Sequence, residues 1–267
     1  MGAFRFKQFE VMQEHSAMKV NTDAVLLGAW ASVPGTENVQ VLDIGTGTGV
    51  IALMVGQRIV TGTDVRTEAP AGCIHAVEID SGACEDAAAN FGAAPWKGIS
   101  FHLHGKSLQE FASNEAKDSG MKFNLIVSNP PYFISSLKNS SENKTLARHT
   151  DTLSQRELLF HSTALLSEGG IFAVILPVTE GEELLRKVEF MAQAAVNATS
   201  CQQALFPSRI CYIHTVEHKP AKRLMLEFIK CHPSARPVLQ REQLVMMCKG
   251  SYTLEYSSLV GKFYLWG

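Results

Sequence analysis

The chain has 267 residues, 46% of them hydrophobic, which is enough for one large α/β domain with a sizeable core and excludes wholesale disorder. Its net charge of −2 excludes a strongly basic nucleic-acid protein, so any nucleic-acid contact must come from a local patch. Six cysteines, none in a C-x-x-C pair, argue against a disulfide framework or a metal site, and no apolar run approaches the roughly 18 residues of a membrane span.

The N-terminus mixes Arg5, Lys7 and Glu10 with aromatics and lacks the apolar core of a secretory signal, so the cytoplasm is the expected compartment. A helix is predicted over 22–31. Residues 39–44 read as a buried strand and 48–57 as its following helix. The pair repeats as a strand over 73–79 and an alanine-rich helix over 82–91. Strands follow at 99–103 and 123–127. Ser154, with Glu157 three residues on, starts a helix over 154–166 in a capping-box pattern. A fifth strand, 171–176, is introduced by Gly169-Gly170 and closed by Pro177. Residues 58–72 and 135–150 read as polar loops. Two strand-like runs, 210–216 and 224–229, flank a polar turn and predict an antiparallel hairpin added to the sheet edge. This alternation predicts a Rossmann-like α/β fold: a mostly parallel seven-stranded sheet with helices on both faces and the edge hairpin. The whole chain, 1–267, is expected to form one domain. Residues 1–38 form its N-terminal cover and donor-site segment, and 39–267 its core.

Ligands of open α/β sheets bind beyond the carboxyl ends of the strands. The turn after the 39–44 strand is Gly45-Thr46-Gly47-Thr48-Gly49, preceded by Asp43. A dinucleotide site would show G-x-G-x-x-G with a pyrophosphate at the helix N-terminus. Here the spacing is G-x-G-x-G, and an anion at position 43 repels phosphate but attracts an ammonium. That favours S-adenosylmethionine, with its ammonium and sulfonium, over NAD. Glu78, near the end of the next strand, can accept both ribose hydroxyls, although an ordinary strand-end acid would look the same. The segment Gly105-Lys106-Ser107-Leu108-Gln109 should lie beside the adenine, with Ser107 the candidate contact.

Asn129-Pro130-Pro131-Tyr132 follows the fourth strand. An exocyclic amine conjugated with its ring is a poor nucleophile. The Asn129 side-chain oxygen and the Pro130 carbonyl can each accept one amine hydrogen and free the nitrogen lone pair. The prolines pre-organise these acceptors, and the Tyr132 ring can stack on the base. A plain Pro-Pro turn is the ordinary alternative, made less apt by the strand context.

Residues 43–49, 77–80 and 128–132 resemble the class I S-adenosylmethionine-dependent amino-methyltransferases. A narrower resemblance spans nearly the whole chain. Phe4-Arg5-Phe6-Lys7-Gln8-Phe9, Ala17-Met18-Lys19-Val20-Asn21-Thr22-Asp23 and Leu26-Leu27-Gly28-Ala29-Trp30 are similar to the N-terminus of the bacterial tRNA1(Val) adenine-37 N6-methyltransferases. Ala147-Arg148-His149 and Phe263-Tyr264-Leu265 are similar too. The resemblance implies an enzyme of class 2.1.1 that methylates the exocyclic amine of adenine 37, with the tRNA anticodon stem-loop as partner and no obligatory protein partner. It implies Asn129, Pro130 and Tyr132 as acceptor-site residues. Asp43, Gly45, Thr46, Gly47, Gly49 and Glu78 become donor-site residues, with Asn129 bordering both sites. Thr22 falls in a motif that lies over the donor's methionine end in related enzymes; a helix N-cap explains it equally well. Lys138 and Arg148 near the acceptor loop, and Lys219, Lys222 and Arg223 in the hairpin turn, are candidate RNA contacts. An anticodon-loop base is already partly unpaired, so presenting it costs less than flipping one from a duplex. The long 58–72 loop and Lys106 depart from the family pattern and leave the adenine contact open.

Two rivals share the acceptor motif. A protein glutamine N5-methyltransferase usually carries an N-terminal helical domain, for which the segment before Gly45 leaves little room. A DNA adenine N6-methyltransferase usually needs a large target-recognition domain.

Overall fold

The computed structural model describes residues 2–62, 72–131, 153–197 and 203–266. Two short strands, β1 (Phe4–Arg5) and β2 (Glu10–Val11), pair as a small ribbon ahead of α1 (Thr22–Trp30). The parallel core follows as β3 (Val39–Ile44), α2 (Val50–Gly62), β4 (Gly72–Glu78), α3 (Ser81–Gly92) and β5 (Ile99–Gly105). Then come α4 (Leu108–Ser113), α5 (Glu115–Ser119), β6 (Phe123–Ser128), α6 (Gln155–Leu165), β7 (Leu166–Pro177) and α7 (Val178–Asn197). The chain continues with β8 (Ala204–Val216), β9 (Arg223–Cys231), β10 (Gln240–Cys248), β11 (Ser251–Tyr252) and α8 (Leu254–Val260).

The main sheet has nine strands in the order β11-β10-β8-β9-β7-β6-β3-β4-β5. Only β9 and β11 run against the others. The expected α/β fold is present, and its seven-stranded core runs from β8 to β5. The hairpin β8–β9 is antiparallel as expected, but it is not the edge: β10 adds in parallel to β8, and β11 turns back on β10. The turn between β10 and β11 is Lys249-Gly250, which lacks the Asn-Gly or Asp-Gly signature by which such turns are read from sequence.

Apolar side chains fill both sides of the sheet. On one face Val25, Leu27, Met54 and Val55 of α1 and α2 pack with Val41, Leu125 and Ile175, and Tyr256 and Val260 of α8 close the far end. On the other face Phe111, Leu158, Leu184 and Val188 pack with Leu42, Ile126 and Phe172. Helix α2 runs through Gly62, so the first part of the predicted 58–72 loop is helical. Arg58 projects from that turn to donate to the Gly28 and Ala31 carbonyls at 3.0 and 2.5 Å, which satisfies the end of α1. Ser154 and Glu157 form the expected capping box. No described helix is long and apolar enough to cross a membrane. Among the described residues no group of three or more His, Cys, Asp or Glu side chains could hold a metal ion.

One buried histidine cluster is expected to make the fold pH-sensitive. His75 on β4 is 7% exposed and lies between the rings of His102 and His104 on β5. Its Nδ1 meets His104 Nε2 at 2.9 Å, and His104 Nδ1 meets Glu115 at 2.6 Å. Burial, reinforced by the two neighbouring imidazoles, pushes His75 down to about 4. The folded chain therefore binds this proton less readily than the unfolded chain, whose histidine titrates near 6.5. Stability from this site is complete above pH 6.5 and is lost as pH falls towards 4. Denaturant titrations should show a stability decline across that window that His75→Gln flattens. An identical slope in the variant would assign the decline to other groups.

Candidate donor and acceptor site

Strand register assembles the site. Ile44 on β3 pairs with Val77 on β4 and with Ser128 on β6. Glu78, the next residue of β4, pairs with Gly105 on β5. Four consecutive strands thus end at one level: β5 with Lys106-Ser107, β4 with Glu78, β3 with the glycine turn, and β6 with Asn129-Pro130. Neighbouring strands lie ~4.8 Å apart, so the glycine turn and the Asn-Pro loop leave the sheet as immediate neighbours. The Ser128 hydroxyl donates to the Ile44 carbonyl at 2.9 Å and ties the two strand ends together.

Asp43 is fully buried behind the turn. Its Oδ2 accepts the Thr46 hydroxyl at 2.6 Å, while its Oδ1 has no hydrogen-bond partner. Burial is the main reason its carboxyl is pushed up to about 7; the Thr46 hydroxyl and then the nearby Ala52 N–H act the other way, and Glu78 adds to the rise. Thr46, itself 4% exposed, therefore serves Asp43. Gly45 and Gly47 have φ of +68° and +56°, a region open to glycine at little cost, and nothing lies within 4 Å of where their side chains would be. Gly49 differs: a Cβ there would meet the Phe91 ring at 2.6 Å, so this glycine lets α3 pack against the turn.

Glu78 is more occupied than its sequence suggests. One oxygen accepts from the Ile79 and Asp80 N–H groups at 2.8 and 3.0 Å, and the other from Gly47 N–H at 2.9 Å. A carboxylate has about four acceptor positions, so it braces the glycine turn and keeps room for one hydroxyl. Ser107 caps α4: its N–H and hydroxyl both donate to Glu110, and its hydroxyl accepts from Glu110 N–H. Thr22 is the first, exposed residue of α1, and the N-cap is Asn21, whose Oδ1 accepts from Ala24 N–H at 2.9 Å. The N-cap alternative for Thr22 is thus corrected by one position.

Asn129 is half-buried, Pro130 is buried and Pro131 is exposed. Tyr132, Lys138 and Arg148 lie outside the described residues. Lys219 and Lys222 are exposed in the β8–β9 turn. Arg223 forms an ion pair with Asp23 at 2.7 Å. That pair joins β9 to the first turn of α1, so Arg223 acts on the N-terminal motif as a brace and has less freedom than its two neighbours.

The sequence reading missed the strap over α3. Asp86, 3% exposed, accepts from the N–H groups of Glu14, His15 and Ser16, from the Ser16 hydroxyl at 2.6 Å, and pairs with His15 Nδ1 at 3.2 Å. Burial opposes its charge, but the bonds from Ser16 and His15 hold the carboxyl below the usual range. Asn90, one turn on, exchanges hydrogen bonds with the Met12 backbone and donates to the Thr48 carbonyl in the glycine turn. Lys19 gathers the Gln13, Glu14 and Ser16 carbonyls. The sequence carries a local hint, an acid and an amide at i, i+4 on the alanine-lined buried face of a helix, but not the distant residues they hold. In Asp86→Asn an amide would face N–H donors, costing about 1.5–3 kcal/mol. Amide exchange at Glu14–Ser16 should therefore quicken at least ~10-fold, with the sheet core unchanged. Unchanged protection there would mean the strap is held elsewhere.

The arrangement presents a fully buried carboxyl group, an open glycine turn and a second carboxylate two residues farther along the neighbouring strand. These features suit a ligand with a cationic amine and a ribose, and an anion at Asp43 opposes a pyrophosphate.

A family model described as the methyltransferase small domain matches residues 15–199. The tRNA1(Val) (adenine(37)-N6)-methyltransferase of Photobacterium profundum is 37% identical over 263 residues, covering 98% of each chain. That of Parabacteroides distasonis is 38% identical over 263 residues, covering 98% of this chain and 97% of the relative. Among solved structures, a predicted O-methyltransferase from Agrobacterium tumefaciens has a TM-score of 0.58 at 17% identity, covering 90% of this chain and 96% of its own. The 16S rRNA N2 G1207 methyltransferase of T. thermophilus, solved with AdoMet and guanosine, has a TM-score of 0.51 at 19% identity, covering 86% of this chain and 50% of its own. At such identities the solved structures show a shared fold.

Proposed function

We propose a function from one premise: the chain belongs to the methyltransferase small domain family. On that premise we infer that it methylates the exocyclic N6 amine of adenine 37 in tRNA1(Val), beside the anticodon, using S-adenosylmethionine in the cytoplasm. The observation that carries this reading is the pairing of Ile44 with Ser128, which sets the glycine turn and the Asn129-Pro130 loop side by side. Relatives bearing that activity in their names match end to end at 37–38% identity, which supports the narrower substrate.

S-adenosylmethionine supplies an electrophilic methyl group when bound. Asp43 offers its unpartnered oxygen to an ammonium, and Glu78 its remaining acceptor position to a ribose hydroxyl. Asn129 and the Pro130 carbonyl each accept an amine hydrogen, so the nitrogen can turn its lone pair towards the methyl. The released proton passes to solvent, and no strong base is needed. Tyr132 provides the ring on which the base stacks. Lys219 and Lys222 contact phosphates.

The test is to incubate the protein with labelled S-adenosylmethionine and total tRNA from a strain lacking it, then map the labelled nucleoside. N6-methyladenosine at position 37 of a valine tRNA is the expected product. Label in a protein fraction and none in tRNA would move the substrate to a glutamine amide.

A further inference from the structure

The carboxyl edge of the sheet continues past the acceptor loop. The β8–β9 turn carries exposed Lys219 and Lys222. Beside it, Lys249 and Gly250 connect β10 to β11 with φ of +49° and +82°, the two-residue hairpin geometry that matches strand twist. Because β8 and β10 are parallel, both turns lie on the same edge as Asn129. Glu217 stitches them together. Its N–H donates to the Met247 carbonyl at 3.1 Å, and its carboxylate accepts from Cys248 Sγ at 2.9 Å and Lys249 N–H at 3.3 Å. Glu217 is thus engaged between the two turns, while the lysines face solvent.

The rim ends in an aromatic pair. Tyr252 and Trp266 are each 48% exposed, with ring centroids 4.6 Å apart and planes within 16°. Tyr264 stacks behind Trp266 at 5.1 Å. Trp266 thus contacts both tyrosine rings, and Tyr252 and Trp266 each remain about half exposed. Five strand spacings separate β6 from β11, placing Tyr252 about 24 Å along the edge from the acceptor loop.

We propose that this rim is a second RNA contact: Lys219, Lys222 and Lys249 follow the phosphate backbone, and the Tyr252–Trp266 pair stacks on an unpaired base of the same RNA. The inference rests on the RNA reading above. Lysines in line suit a polyanion, and half-exposed stacked rings suit any base, since every base has a π-face. Glu255, exposed in the first turn of α8, is the acid that stands nearest the pair in sequence.

The test measures tRNA affinity at several salt concentrations for Trp266→Ala, Tyr252→Ala, Trp266→Phe and Lys249→Glu, with donor affinity measured alongside. Loss of one stacking ring should weaken tRNA binding ~10-fold with the salt slope retained, and Trp266→Phe should restore most of it. Lys249→Glu, on an exposed turn away from the core, should weaken binding and reduce the salt slope by roughly one. Donor affinity should stay at the wild-type value throughout. Unchanged tRNA affinity in Trp266→Ala and Lys249→Glu would overturn the rim while leaving the RNA reading intact. So would a dimer in solution that the aromatic variants dissolve, which would make the pair a contact between copies. A wild-type chain that binds no tRNA would overturn the RNA reading itself.

Discussion

Replacing Asn129 with alanine should lower turnover at least ~100-fold and leave donor affinity almost unchanged. The backbone at this position is fixed independently of the side chain. Asn129 follows Ser128, which is paired with Ile44 and bonded to its carbonyl, and it precedes a buried proline whose ring restricts φ. The substitution therefore removes one hydrogen-bond acceptor and moves little else. A conjugated amine makes its strongest demand on that acceptor as nitrogen loses planarity, which happens in the transition state. Such a loss falls on kcat more than on KM. Steady-state kinetics with tRNA, together with calorimetry of the donor, would check both halves. Near-normal turnover would remove Asn129 from the acceptor site, whatever the RNA.

The parts of this site that were legible in the sequence are those whose chemistry is local. Gly45 and Gly47 announce a left-handed turn after an apolar run, and Asn129-Pro130-Pro131 announces a stiff loop after another. Period and punctuation sufficed for both, and β3 appears with the boundaries read from sequence. What escaped notice depends on partners distant in the chain. Glu78 is a brace because Gly47 N–H happens to reach it. Asp86 and Asn90 matter because residues 12–16 return to them across some seventy positions. Arg223 looked like a free cation until Asp23, 200 residues away, took its guanidinium. The extra edge strands escaped for a different reason: β10 is half polar and ends in a Lys-Gly turn, so neither its alternation nor its turn stands out.

Asp43→Asn should raise the melting temperature of the donor-free protein at pH 8 and weaken S-adenosylmethionine binding at least ~30-fold, as expected for removing one partner of a buried charge pair. The two effects share one cause. Asp43 is fully buried with one oxygen unpartnered, and burial pushes its carboxyl up to about 7 from an unfolded value of 3.8. The folded state binds this proton more tightly than the unfolded one. The charge therefore costs nothing below pH 3.8, costs progressively more between 3.8 and 7, and costs about 4 kcal/mol above that. A neutral amide escapes most of this cost, though its NH2 then lacks a partner. A net gain of about 2 kcal/mol would raise the melting temperature by ~4–8 °C. If Asp43 meets the donor as proposed, an arriving ammonium would offset this cost, which is the usual tension between stability and a binding group. It follows that wild-type donor affinity should fall up to ~10-fold per pH unit below about pH 7, where a proton competes for Asp43, and that the variant should lack this dependence. Calorimetry across pH 5.5–8 on both proteins reads the difference. A variant that melts lower at pH 8 yet binds the donor normally would make Asp43 a strut for Thr46 and the turn, and would move the ammonium to another partner.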